Sequence, residues 1–162
     1  MTKETFQFEY EVYNSIDELT EDDKWLLDEA REVTQQAYAP YSRFHVGAVA
    51  KLNNGETVKG TNQENASFPA GLCAERVVLA AVSSLHPKAA IETMAISYFN
   101  HNGESNKPIT PCGICRQSLQ EHMEKTKTPI RLILGGMYGE VYVIPHAELL
   151  LPMSFTSKDL KQ

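Results

Sequence analysis

No stretch of the 162 residues approaches the roughly 20 consecutive apolar side chains a helix needs to cross a bilayer, so no membrane partner is expected. Basic runs are missing too. The 15 Lys and Arg are scattered among 21 Asp and Glu, for a formal net charge of -6. Nucleic-acid binders draw much of their affinity from a clustered basic face that neutralises phosphates, so no nucleic-acid partner is expected. The opening Met1-Thr2-Lys3-Glu4-Thr5 has neither the basic start nor the apolar core of a secretory signal, which gives a cytoplasmic expectation. Cysteine is sparse: three residues, an odd number that suits a secreted disulfide framework poorly and suits reduced thiols well. A charged fraction of 22% with 42% hydrophobic residues argues against disorder and for a single domain, residues 1–162, with an ordinary core.

The three cysteines fall in two clusters, Cys73-Ala74-Glu75 and Pro111-Cys112-Gly113-Ile114-Cys115. Three thiolates make an incomplete tetrahedral set for zinc and leave one position for water or substrate. Both clusters sit at predicted helix starts, where backbone N–H groups and the helix dipole favour thiolate over thiol. The spacing of Cys112 and Cys115 puts two sulfurs on one helical turn, with Cys73 arriving from a facing helix. Two other readings stay open at this level: a redox pair at Cys112 and Cys115, and a closed structural site completed by one of five histidines. No histidine has ligand-like spacing to the cysteines. Glu75, read alone, is an acid favoured at a helix N-terminus; beside a metal ligand it becomes a candidate to move a water's protons. Three thiolates on one Zn²⁺ leave the site near -1, and Arg76 and the two helix N-termini are the candidates to offset that charge. Arg76 is otherwise a surface cation.

Residues 1–20 form an extension in which Phe6, Phe8, Tyr10 and Val12 alternate, which permits a short edge strand. Ser15 with Glu18, and Thr20 with Asp23, have helix-entry spacing. A first helix is predicted over about 21–37, stopped by Pro40. Strand spacing begins at Phe44; Asn53-Asn54-Gly55 marks a turn into a second strand over about 56–63. A helix over about 72–85, apolar nearly all round, is expected to be buried. A central strand over 91–99 follows, then a polar loop, then a third helix over about 112–125 opened by Pro111. Strands at 130–134 and 140–144 are joined by a link too short for a parallel crossover, so they are expected to be antiparallel. The order is α-β-β-α-β-α-β-β, an α/β sandwich on a mixed sheet with its core over about 21–160.

With these residues in view, the chain resembles the small, three-cysteine cytidine deaminases over roughly residues 28–160. The resemblance rests on Ala39-Pro40-Tyr41-Ser42-Arg43-Phe44-His45-Val46-Gly47-Ala48, where proline is commoner at the place of His45; on Asn62-Gln63-Glu64-Asn65-Ala66-Ser67-Phe68; on the two cysteine motifs, the second running on into Arg116-Gln117; and on Leu150-Leu151-Pro152-Met153-Ser154-Phe155. It implies a cytidine-deaminase-like α/β sandwich with a mixed five-stranded sheet, helices on its faces and the last two strands antiparallel. It also implies one Zn²⁺ per subunit on Cys73, Cys112 and Cys115, with water completing the site. Glu75 would be the catalytic proton shuttle to N3 of the pyrimidine and to the departing ammonia, while the water oxygen attacks C4.

The resemblance further implies that Arg76 offsets the thiolate charge and that Asn62 and Glu64 hold ribose hydroxyls. Phe44 would pack on the base, Ala74 would offer its backbone N–H to the base carbonyl, and Phe155 would reach a neighbouring subunit's pocket in a homotetramer. From residue pattern alone, Asn62 and Glu64 are a polar turn, Phe44 is a core strand residue and Phe155 covers the core. The expected activity is deamination of cytidine and deoxycytidine in pyrimidine salvage, with a small nucleoside as the partner. The alternatives are another aminopyrimidine nucleoside such as blasticidin S, or a non-catalytic zinc-binding protein on the same fold.

Overall fold

The computed structural model describes residues 1–160. Six strands form one mixed sheet: β1 (Glu11–Tyr13), β2 (Phe44–Leu52), β3 (Thr57–Thr61), β4 (Ile91–Asn100), β5 (Arg131–Gly135) and β6 (Val141–Ile144), in the order β1-β6-β5-β4-β2-β3. All neighbours are antiparallel except β4 and β5. That parallel pair needs a crossover, and α3 (Gly113–Thr126) supplies it. The expected antiparallel pairing of the last two strands is observed, with Leu132 opposite Ile144 and Gly135 opposite Val141.

The sheet has one strand more than the five expected. Residues 11–13 pair with β6, Glu11 opposite Val143 and Tyr13 opposite Val141. The aromatic alternation upstream explains why the segment adheres. Tyr10 sets its ring 5.2 Å from that of Tyr142, and Phe8 packs against the core from partly buried ground.

Alternation along the strands makes three layers. Leu26, Leu27, Ala30 and Val33 of α1 (Glu21–Val33) pack on the face carrying Val49, Ala95, Ile133, Val141 and Val143. α2 (Ala74–Leu85) and α3 cover the other face, where Ala48, Ala50, Met94, Ile96, Leu132 and Leu134 meet Val78, Val82, Leu119 and Met123. Thr20 caps α1, its hydroxyl accepting from Asp23 N–H at 3.3 Å; Ser15 caps a short 3-10 turn just before it. α1 ends at Val33 and passes into a 3-10 turn over Thr34–Gln36, ahead of the expected limit of 37, with the Thr34 hydroxyl donating to Arg31 C=O at 2.7 Å. α2 is one-sided and not buried all round: Leu85 is 72% exposed. Pro111 lies one residue ahead of the Cys112 cap and not in the first turn of α3.

The turn between β2 and β3 has Gly55 at φ +85°, a backbone that residues with a Cβ resist. Gly60 serves the site more directly. A Cβ there would lie 2.9 Å from Val78 Cγ2 and 3.0 Å from Ala74 C=O, so its bare backbone lets β3 seat the first turn of α2 closely. No helix among the described residues is long and apolar enough to cross a membrane.

Candidate metal and substrate site

Cys73 is the cap residue of α2, and Cys112 that of α3. Neither side chain caps its own helix, so both sulfurs are free to project into the space between the two helix starts. Cys115 joins them from the first turn of α3. Cys73 and Cys112 sulfurs are 3.8 Å apart, Cys112 and Cys115 sulfurs 3.6 Å, and all three lie within 4.8 Å of one another. Soft sulfur donors at tetrahedral-edge spacing fit a thiophilic divalent ion, and three of them leave a fourth position open.

Thiol chemistry within the triad is polarised. Hydrogen bonding from Cys115, assisted by Cys112 and by the Arg76 charge, holds Cys73 down at about 6. Cys115, the buried donor, is pushed upward by that bond and by burial. Helix N-termini on both sides favour the anionic sulfur still further.

Glu75 follows in the first turn of α2 and is 5% exposed. Burial pushes its carboxyl above the usual range, against the opposing hydrogen bonds from its own N–H and from Cys115. A buried carboxyl whose pKa is raised suits proton transfer in both directions. Arg76 is half-buried and acts on Cys73 through its charge; no hydrogen bond joins it to a sulfur among the described residues.

A cleft of about 380 Å³ opens over this centre, lined by Asn62, Glu64, Phe68, Cys73, Ala74, Glu75 and Cys112 among others. Its size is that of a small-molecule site. Ala74 is fully buried at the first position of α2, where backbone N–H groups have no helical acceptor. Asn62 is held on both ends of its amide: Oδ1 accepts from Val46 N–H at 2.7 Å, and Nδ2 donates to Phe44 C=O at 2.8 Å. One Nδ2 hydrogen and one Oδ1 lone pair remain for a ligand. Glu64 accepts from Tyr41 N–H at 2.8 Å and Ser42 N–H at 3.2 Å. Burial pushes Glu64 up, but the Ser42 side chain and these backbone bonds outweigh it and hold the carboxylate below its usual range.

Two anticipated residues stand outside the cleft. Phe44 stacks on Tyr98, ring centroids 4.9 Å apart and planes at 16°. Phe155 is 58% exposed beside α3. The cleft also recruits Val46 and Leu72, read in the sequence only as parts of a strand motif and a helix, and Ile109 and Thr110, which carried no signal. Ile109 and Thr110 belong to an irregular loop without periodicity, so only the fold brings them to the site.

Residues 20–128 match the family described as the cytidine and deoxycytidylate deaminase zinc-binding region. The chain is 33% identical over 139 residues to a cytidine deaminase of Halalkalibacterium halodurans, covering 86% of this chain and 98% of that protein. It is 42% identical over 106 residues to a cytidine deaminase of Mycoplasma genitalium, 64% of this chain and 76% of that one. Among solved structures, the cytidine deaminase of Burkholderia pseudomallei superposes with a TM-score of 0.69 at 35% identity, covering 85% of this chain and 100% of that one.

Proposed function

This chain belongs to the cytidine deaminase family, and from that membership we infer that it hydrolyses the exocyclic C–N bond of cytidine and deoxycytidine, yielding the uridine forms and ammonia. The observation that carries the reading is the meeting of three sulfurs from two helix starts beside a buried glutamate, at the floor of a nucleoside-sized cleft. Cys73, Cys112 and Cys115 would hold one zinc ion per subunit. Zinc, when bound, supplies Lewis-acid activation of water at neutral pH.

The protein's own groups account for the rest. Glu75 accepts the proton that water gives up and delivers it to pyrimidine N3, which lets the ring take up electrons as oxygen adds at C4. The same carboxyl then passes a proton to the leaving amine, so one water is consumed and one ammonia released. Ala74 N–H holds the base carbonyl, which would orient C4 toward the three sulfurs that hold the ion. Asn62 and Glu64 bind a ribose hydroxyl as donor and acceptor, with the Glu64 carboxylate as the acceptor. The Arg76 charge offsets the surplus negative charge of three thiolates, preserving the Lewis acidity of the ion.

The assembly we propose is a homotetramer, in which Phe155 reaches a neighbouring subunit. Phe155 and Phe68 are 58% and 82% exposed, apolar surface of the kind that packing against further copies would cover. Phe44, stacked on Tyr98, would back the base from the strand. A cytoplasmic role in pyrimidine salvage fits a small nucleoside substrate and a net charge of -6 that disfavours nucleic acid.

The test is a panel of aminopyrimidine nucleosides, blasticidin S included, assayed for ammonia release and loss of cytosine absorbance, with metal measured on the same sample. Turnover of cytidine and deoxycytidine with one zinc per chain is expected. Bound zinc with no ammonia from any member of the panel would overturn the reading.

A further inference from the structure

Helix α3 does more than present Cys115. The two residues that follow it, Arg116 and Gln117, both reach across to the C-terminal segment. Arg116 Nη1 donates to Leu150 C=O at 2.8 Å, while its Nε donates to Pro111 C=O at 2.8 Å and Nη2 to Thr110 Oγ1 at 3.1 Å. One guanidinium thus ties Thr110 of the cleft wall, and Pro111 next to it, to the point where the segment leaves the core. Gln117 Nε2 donates to Phe155 C=O at 2.8 Å, a bond spanning 38 residues. Between the two anchors the chain reverses through Met153, a non-glycine residue at φ +56°. Farther along the helix, Glu124 accepts from Ser157 N–H at 3.2 Å. Among the described residues, the Gln117 bond is the one hydrogen bond to Phe155, and no aromatic ring packs on that side chain.

We propose that Gln117 is a positioning residue for Phe155: it locks the backbone of the C-terminal segment to the metal-binding helix, so that the exposed ring is presented at a fixed angle to the substrate site it serves. This rests on the reading of Phe155 as a substrate-site residue. The geometry gives the direction of action. Among the described residues, the bond to Phe155 C=O is the one hydrogen bond of the Gln117 amide, and its helix position is two residues from Cys115. Register between ring and ion is therefore set through one short stretch of helix. Losing the bond frees the ring to sample other orientations and weakens nucleoside binding without touching the groups that move protons.

The experiment is a double-mutant cycle with Gln117→Met, which keeps the volume and loses the donor, and Phe155→Ala. Phe155→Ala is expected to raise KM for cytidine. Gln117→Met is expected to raise it about fivefold, with kcat within about twofold, as for loss of one binding hydrogen bond. In the double variant the Gln117 change should add nothing further. Trypsin gives a readout independent of activity: cleavage after Lys158 should be faster in Gln117→Met at an unchanged zinc content. If Phe155→Ala leaves KM alone, the role of Phe155 itself fails. If Phe155→Ala raises KM and Gln117→Met does not, or if the two effects add, the latch fails. Loss of zinc in Gln117→Met would assign the residue to the helix and overturn the proposal. Should Gln117→Met fold poorly, Gln117→Glu has the same shape and, ionised at pH 7, no donor; it must show the same non-additive rise in KM.

Discussion

The sulfur of Cys73 lies 3.8 Å from that of Cys112, although 39 residues separate them in the chain. Each stands at the start of a different helix, and both helices pack on the same face of the sheet. The core therefore carries the two halves of the metal centre into register. Metal binding and folding of this face are expected to be linked.

Chelation of zinc should lower the thermal midpoint and abolish turnover together, with both restored on adding the metal back. Cys115→Ser, which replaces a soft ligand with a hard one, should bind far less than one zinc per chain and show no measurable deamination. Metal analysis and a thermal melt on the same sample check this. A variant that retained full metal and full rate would remove Cys115 from the ligand set.

Glu75→Gln keeps the shape of the side chain and loses its capacity to carry a proton. Zinc content should stay at one per chain and KM within a few-fold, while kcat falls by about 10² to 10⁴. Steady-state kinetics beside metal analysis separates this outcome from simple loss of the site.

Asn62 has two roles, and Asn62→Ala should expose both. Removing the amide strips partners from Val46 N–H and Phe44 C=O, which should cost about 1 to 3 kcal/mol in a urea unfolding measurement. The sugar contact should appear as a rise in KM that is larger for cytidine than for free cytosine. An equal change for both would limit Asn62 to its structural role.

The ion pair of Asp23 with Arg131, bonded at 2.7 Å through both oxygens, ties the first turn of α1 to β5. Burial pushes the Asp23 carboxyl up, but the guanidinium outweighs it and holds the group below its ordinary 3.8. A folded value below the unfolded one means that the pair contributes fully above 3.8 and loses its contribution as pH falls through the folded value. Asp23→Asn should therefore cost about 1 to 2 kcal/mol at neutral pH, a figure kept low because Arg131 leaves a third of its side chain in water. Denaturation curves of both proteins, taken at steps of decreasing pH, should converge in acid.

Sequence pattern alone located the helix starts at Cys73 and Cys112, because ligand spacing and capping position are both short-range properties. The antiparallel link over 135–139 was legible for the same reason: its brevity leaves no other topology. The sixth strand was visible only as an alternation, since whether Phe8 and Tyr10 adhere depends on Tyr142, more than a hundred residues away. Burial of α2 was overestimated, because an apolar composition does not tell which side of a helix finds a partner; Leu85 finds none. Asn62 and Glu64 could be singled out by resemblance, but their grip on the backbone of Phe44, Val46, Tyr41 and Ser42 is a tertiary fact. Nothing local marks Thr110 or Leu150 as neighbours of Arg116.

The short strand at Glu11–Tyr13 has a practical bearing on how this enzyme can be handled. By sealing the outer border of β6, it conceals the N–H and C=O row of Val141–Val143 from other molecules. Trimming the polypeptide to begin at residue 21 would bare that row, and a bare border invites strands of other molecules to zip onto it. The shortened enzyme should clump on storage at concentrations where the intact one stays dispersed, even though every group around the metal is retained.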